Sequence, residues 1–191
     1  VGNYITAVSN GNYVISSQYW NNGAITDAGA ATWGNGSTGT TGVVSMANSI
    51  VGSTAFDEVG YFGITALTNG NYVIKSPYWD NGAMADAGAA TWGDGNTGTS
   101  GIISAANSLV GDKANDLVSR NGINALSNGN YCVSSGYWDN GAATDAGAIT
   151  LGNGTSGTTG IVSAANSVVS SYANDQLGNG GTVTFAGGGF T

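Results

Sequence analysis

Short apolar stretches alternate with clusters of Asn, Asp, Gly, Ser and Thr along the whole chain. Apolar runs this short, bounded by turn-forming residues, predict consecutive strands rather than helices. The pattern also repeats. Asn10-Gly11-Asn12-Tyr13 returns as Asn69-Gly70-Asn71-Tyr72 and as Asn128-Gly129-Asn130-Tyr131, 59 residues apart each time. Asp27-Ala28-Gly29-Ala30 and Ala47-Asn48-Ser49 recur at the same spacing. A fixed period of this size predicts a repeat architecture, with units at 1–59, 60–118 and 119–177 and an extra first strand with a Gly-rich tail over 178–191.

In the second unit the pattern places strands at about Ile64 to Leu67, Tyr72 to Ser76, Ala87 to Trp92 and Gly101 to Ala106. The Asn69-Gly70 pair suits a type I′ hairpin turn, which requires positive φ at both central positions. In the second strand Tyr72 and Ile74 face one way and Val73 the other, and both sister copies are apolar on both faces as well. Such a strand is covered on both sides. The third strand is rich in Ala and Gly, allowing a neighbouring sheet close approach. Trp33 and Trp92 add bulk there, and Leu151 takes the same place in the third unit, so the position asks for apolar volume.

The expected fold is therefore all-β: a repeat protein of four-stranded antiparallel blades, β-propeller-like, with three blades too few to close a propeller alone. A right-handed β-helix is the alternative, because the unit also divides into three pieces of about 20 residues, near the coil length of a solenoid.

The run Asp57-Glu58-Val59-Gly60, then Ile64 to Pro77, then Ala87-Gly88-Ala89-Ala90-Thr91-Trp92, then Asn107-Ser108-Leu109-Val110-Gly111 resembles the tandem repeat of bacterial haemagglutinin-like and adhesin-like surface proteins. In the order of its elements it is similar to the FG-GAP blade of integrin-type β-propellers, Val59-Gly60 standing for Phe-Gly and Lys75-Ser76-Pro77 for Gly-Ala-Pro. The resemblance implies a secreted or cell-surface scaffold. The calcium loop of that blade family corresponds here to Ser9-Asn10-Gly11-Asn12 and its sister loops, which contain no carboxylate. A hard cation needs six to eight oxygens, usually several of them carboxylates, so no metal and no cofactor is expected.

Composition narrows the chemistry further. Among 191 residues there are 34 glycines, one cysteine and no histidine, and the net charge is -8. Without histidine there is no Ser-His-Asp or Cys-His machinery and no imidazole proton shuttle. Lys75, Lys113 and Arg120 are the whole cationic complement, too few to neutralise a run of phosphates. Nucleic acid is not an expected partner, and no apolar run is long enough for membrane insertion as a helix. Cys132 stands where the other units have Val14 and Val73 and reads as a small buried hydrophobe. Asp27, Asp57 and their sister residues recur once per unit; since an active site is normally singular, they read as turn caps. The protein is expected not to be an enzyme.

Two features remain as candidate sites. Tyr19-Trp20, Tyr78-Trp79 and Tyr137-Trp138 are followed by Asn21, Asp80 and Asp139, a combination of aromatic face and polar acceptor that grips a sugar ring. Repetition would give such sites avidity for glycans; the alternative is that the aromatics wedge between neighbouring sheets. At the C-terminus Thr182-Val183-Thr184-Phe185 restates the start of a unit. A strand without a partner is a template for pairing with another chain, which predicts self-assembly into an oligomer or filament through this segment, or else packing on the chain's own sheets.

Overall fold

The computed structural model describes residues 2–180. The assembly strand expected at Thr182–Phe185 lies outside the described residues.

The first unit contributes β1 (Tyr4–Ala7), β2 (Tyr13–Ser17), β3 (Ala30–Gly34) and β4 (Ser49–Val51). The second contributes β5 (Ile64–Ala66), β6 (Tyr72–Ser76), β7 (Ala89–Gly93), β8 (Gly101–Ile102) and β9 (Ser108–Val110). The third contributes β10 (Gly122–Ala125), β11 (Tyr131–Ser135), β12 (Ala148–Gly152), β13 (Gly160–Ile161) and β14 (Ser167–Val169). No helix occurs among the described residues.

Each unit builds one sheet of four antiparallel strands, β1-β2-β3-β4, β5-β6-β7-β9 and β10-β11-β12-β14. These are propeller-like blades; the coil-on-coil parallel pairing of a β-helix is not their principle. The first two sheets each gain a fifth strand from the following unit. β8 runs parallel to β4, with Gly101 opposite Ile50 and Ile102 opposite Val51, and β13 runs parallel to β9 in the same register.

Two expectations need correction here. The fourth strand of the second blade is Ser108–Val110, not Gly101 to Ala106. Of the latter span only Gly101–Ile102 is extended, and it belongs to the neighbouring blade. The hairpin turn also differs. Leu67 N–H bonds Asn71 O and Gly70 N–H bonds Leu67 O, a three-residue loop in which Gly70 has a φ of 91° while Asn69 stays on the negative side. That is the type I turn closed by a left-handed glycine, not type I′.

The sheets pack face on face, and the two apolar faces of the second strand explain how. Tyr72 and Ile74 join Val14, Ala31 and Ile50 of the first blade in one buried cluster. Val73 faces the other way into a second cluster with Tyr131, Val133 and Ala148 of the third blade. One strand thus serves two cores, and its period-2 alternation decides which side chain goes to which.

Candidate functional site

The polar side chains repeated in every unit converge on the seams between blades. At one end of the sheets, where the Asn-Gly turns lie, three donors from the first unit meet one carbonyl of the second. Asn10 Nδ2, Asn12 Nδ2 and Trp33 Nε1 reach Gly95 O at 2.8, 2.9 and 2.9 Å. The second seam repeats this on Gly154 O, with Asn69, Asn71 and Trp92 at 2.7, 2.8 and 3.0 Å. Asn71 Oδ1 meanwhile accepts from the N–H of Gly95 in its own unit at 3.0 Å, so this amide ties its own loop and grips the next. The loop can come this close because residue 95 is glycine: a Cβ there would lie 1.7 Å from Gly70 O.

At the other end the acceptor is a carboxylate. Asp57 Oδ2 accepts from the N–H groups of Ser53 and Thr54, both at 2.7 Å, and its Oδ1 accepts from Asp80 N–H of the next unit at 2.9 Å. Asp116 does the same with Asp112, Lys113 and Asp139. Burial raises the Asp57 carboxyl above its ordinary range and pushes Asp116 up to about 6, more than the three N–H donors pull it down. These residues cap turns, as their repetition suggests, and they also join units, which the sequence did not indicate.

Asp80 and Asp139, expected beside a sugar, each accept from a backbone N–H six residues on, Asp86 at 2.9 Å and Asp145 at 2.8 Å. Trp79 and Trp138 are buried at 4% exposure within the two inter-blade clusters, and their indole N–H groups have no acceptor. A ring so placed cannot offer its face to a ligand, so these two members of the expected set are withdrawn from a glycan site: they wedge between sheets. Trp20, in the first unit, is half-buried. Cys132 is buried, with its thiol pushed up by that burial.

The tyrosines behave differently from their tryptophan neighbours. Tyr19 is exposed and Tyr78 and Tyr137 half-buried. They are interleaved with side chains of the inter-unit segments in a ladder along one edge of the stack. Tyr61 sits 6.5 Å from Tyr19 and 5.4 Å from Tyr78, ring centre to ring centre. Arg120, the counterpart of Tyr61 one unit on, stacks 5.9 Å from the Tyr78 ring and 5.4 Å from Tyr137, with Phe62 at 5.6 Å. Its guanidinium also donates to Tyr78 Oη at 3.2 Å. The sequence reading missed Tyr61, Phe62 and Arg120, because they differ from unit to unit and a search for repeated motifs passes over them.

Among the described residues no group of three or more Cys, Asp or Glu gathers in metal-binding geometry. The model of a family described as a repeat of unknown function (DUF5650) matches residues 7–61, 66–120 and 125–179. The chain belongs to this family. Each match starts at the last residue of a blade's first strand and runs from the Asn-Gly turn through the Asp of the inter-unit segment, Asp57, Asp116 or Asp175. No curated protein matches the chain.

Proposed function

We propose that the protein is a non-catalytic structural or adhesive scaffold, secreted or displayed at the cell surface, related in use to the adhesin-like repeats its units resemble. The observation that carries this reading is where the polar chemistry goes. The side chains of the Asn-Gly turns, the Asp57 and Asp116 carboxylates and the Trp33 and Trp92 indoles are spent on backbone atoms of the same or the next unit, which ties blade to blade. Self-association suits such a scaffold, and other copies of the chain are its proposed partners. Antibody labelling of intact native cells and their medium tests the location: labelling only after permeabilisation would overturn it.

A second reading, multivalent carbohydrate binding, is favoured by the aromatic ladder rather than by the Tyr-Trp pairs as a whole. Tyr19, Tyr61, Tyr78 and Tyr137 offer ring faces on one edge, and Arg120 adds donors for sugar hydroxyls. A glycan array decides it. Micromolar binding that Tyr78→Ala abolishes supports a lectin, whereas a blank array removes this reading and leaves the scaffold.

A further inference from the structure

Each internal seam has a receiving half and an inserting half, and each end of the three-blade stack displays one of them. The inserting half, from the following unit, is a Gly carbonyl, a short parallel strand and the apolar residue after it: Gly95, Gly101–Ile102 and Ile103 at the first seam, and Gly154, Gly160–Ile161 and Val162 at the second. Ile103 and Val162 are 2% and 1% exposed. The first unit carries the same parts as Gly36, Gly42, Val43 and Val44. Val43 is 85% exposed, and Gly42–Val44 forms no strand among the described residues.

The receiving half is the outer edge of the fourth strand, flanked by amide donors and a large apolar residue. In the second unit these are β9, Asn69, Asn71 and Trp92. In the third unit their counterparts are β14, Asn128, Asn130 and Leu151, and no fifth strand lies on β14 among the described residues. Val168 is 65% exposed where its counterpart Leu109 is buried, and Leu151 is half exposed. Asp175, the counterpart of Asp57 and Asp116, is exposed, with a hydroxyl of its own unit, Ser170, as partner.

We propose that a second copy of this chain docks head to tail on the first. Its Gly42–Val44 segment adds parallel to β14, with Gly42 opposite Val168 and Val43 opposite Val169. Its Gly36 carbonyl receives Asn128 and Asn130, and its Asn21 N–H meets Asp175. The occupant follows from continuity: the same chain makes this interface with itself twice. By the 59-residue spacing residues 181–191 stand one period after β10, not after β13. This contact uses other residues than the C-terminal assembly strand expected from the sequence. It rests on the scaffold reading only for its use.

The interface is heterologous, so each copy keeps one free end and assembly continues into a ring or filament. It is weaker than an internal seam, because Leu151 lacks the indole N–H that Trp33 and Trp92 supply. Like charge on each copy also opposes it, so association strengthens with salt.

Sedimentation velocity of the 191-residue chain over rising concentration and salt is the test, with Val44→Asp, at the counterpart of the buried Ile103 and Val162, and Val168→Asp as variants. Val168 is exposed and Val44 half-buried, and a melting curve checks that each variant folds. Wild type is expected to form a concentration-dependent series, and each variant alone to stay monomeric. An equimolar mixture of the two variants is expected to stop at a dimer, since one sound head meets one sound tail. A wild-type chain that stays monomeric, or a mixture that stays monomeric, overturns the proposal. So does assembly lost on deleting residues 181–191 but untouched by Val44→Asp, which assigns the contact to the C-terminal segment. None of these outcomes bears on where antibodies label the cell.

Discussion

The two ends of the blades solve one problem, joining a sheet to the next, with different acceptors. At the Asn-Gly end the acceptor is a neutral backbone carbonyl, Gly95 O or Gly154 O, met by three uncharged donors. At the Tyr-Trp end it is a buried carboxylate, Asp57 or Asp116. The first joint depends on where its loop sits, since the loop is held against its own blade's Asn-Gly turn so that one carbonyl meets all three donors. The second depends on charge, since a carboxylate in an apolar seam is held against its desolvation cost by only three N–H groups. The first joint should therefore be indifferent to pH and the second sensitive to it, while neither has room for added volume: a Cβ at Gly111 would lie 2.7 Å from Asp116 Cβ.

The strongest way to break this contrast is Gly95→Ala. The new methyl would meet Gly70 O of the same blade at 1.7 Å, so the loop must shift and carry Gly95 O away from Asn10, Asn12 and Trp33 across the seam. A loss of about 3 kcal/mol is expected, at the upper end for overpacking, read as a drop in the denaturation midpoint equal at acid and neutral pH. A pH-dependent loss would mean that the two ends are coupled.

Asp116→Asn probes the other joint. An amide has one acceptor oxygen where the carboxylate has two, so at least one buried N–H loses its partner, at about 1–3 kcal/mol. The pH profile is the sharper readout. A carboxyl whose pKa is raised on folding favours the folded state while protonated, so its contribution is complete below its ordinary value of 3.8 and is lost as pH rises through about 6. Asp57, Glu58 and Asp86 are raised in the same direction by burial. The melting midpoint of the native chain should then rise by a few degrees as pH falls across this window, and Asp116→Asn should flatten the rise. A midpoint that falls instead would show that the N–H donors outweigh burial.

Trp92→Leu makes the second unit resemble the third. It removes the indole donor to Gly154 O and leaves the two Asn donors in place, so about 1 kcal/mol is expected from the hydrogen bond, with no change in pH profile. Smallest of all is Arg120→Ala, at a half-buried position of the ladder, at about 0.5–1 kcal/mol for lost cation–π contact. Its effect should be confined to the joint between the second and third blades, where hydrogen exchange would rise first.

Much of this architecture was legible because the repeat states each instruction three times. The strand at Tyr72–Ser76 appears with its predicted bounds, since three consecutive apolar residues between an Asn-Gly turn and a Pro leave it few options. Its two-faced burial was legible for the same reason. The segment Gly101–Ile102 was assigned to the wrong blade because an extended stretch of two residues carries no mark of which neighbour it will pair with. The Asn of the Asn-Gly turn was read as a conformational choice, yet Asn69 works through its side chain, 2.7 Å from a carbonyl 85 residues away. Of the expected ligand set, Tyr19, Tyr78 and Tyr137 lie on an accessible edge, while Trp79 and Trp138 do not. Adjacent residues on an irregular segment diverge, and only the packing of the next blade decides which one is covered.

Local chemistry thus determined the elements: the period, the strands, the turn glycines, the small residues at close contacts and the absence of imidazole or a cationic surface. These follow from φ preferences, alternation and composition, which are properties of a residue and its near neighbours. Tertiary structure decided the joints: which blade receives the fifth strand, which carbonyl collects three donors, which aspartate bridges two units, and which aromatics form the ladder. Those depend on groups brought together from distant points of the chain, where distance and burial, not sequence spacing, set the energy of each contact.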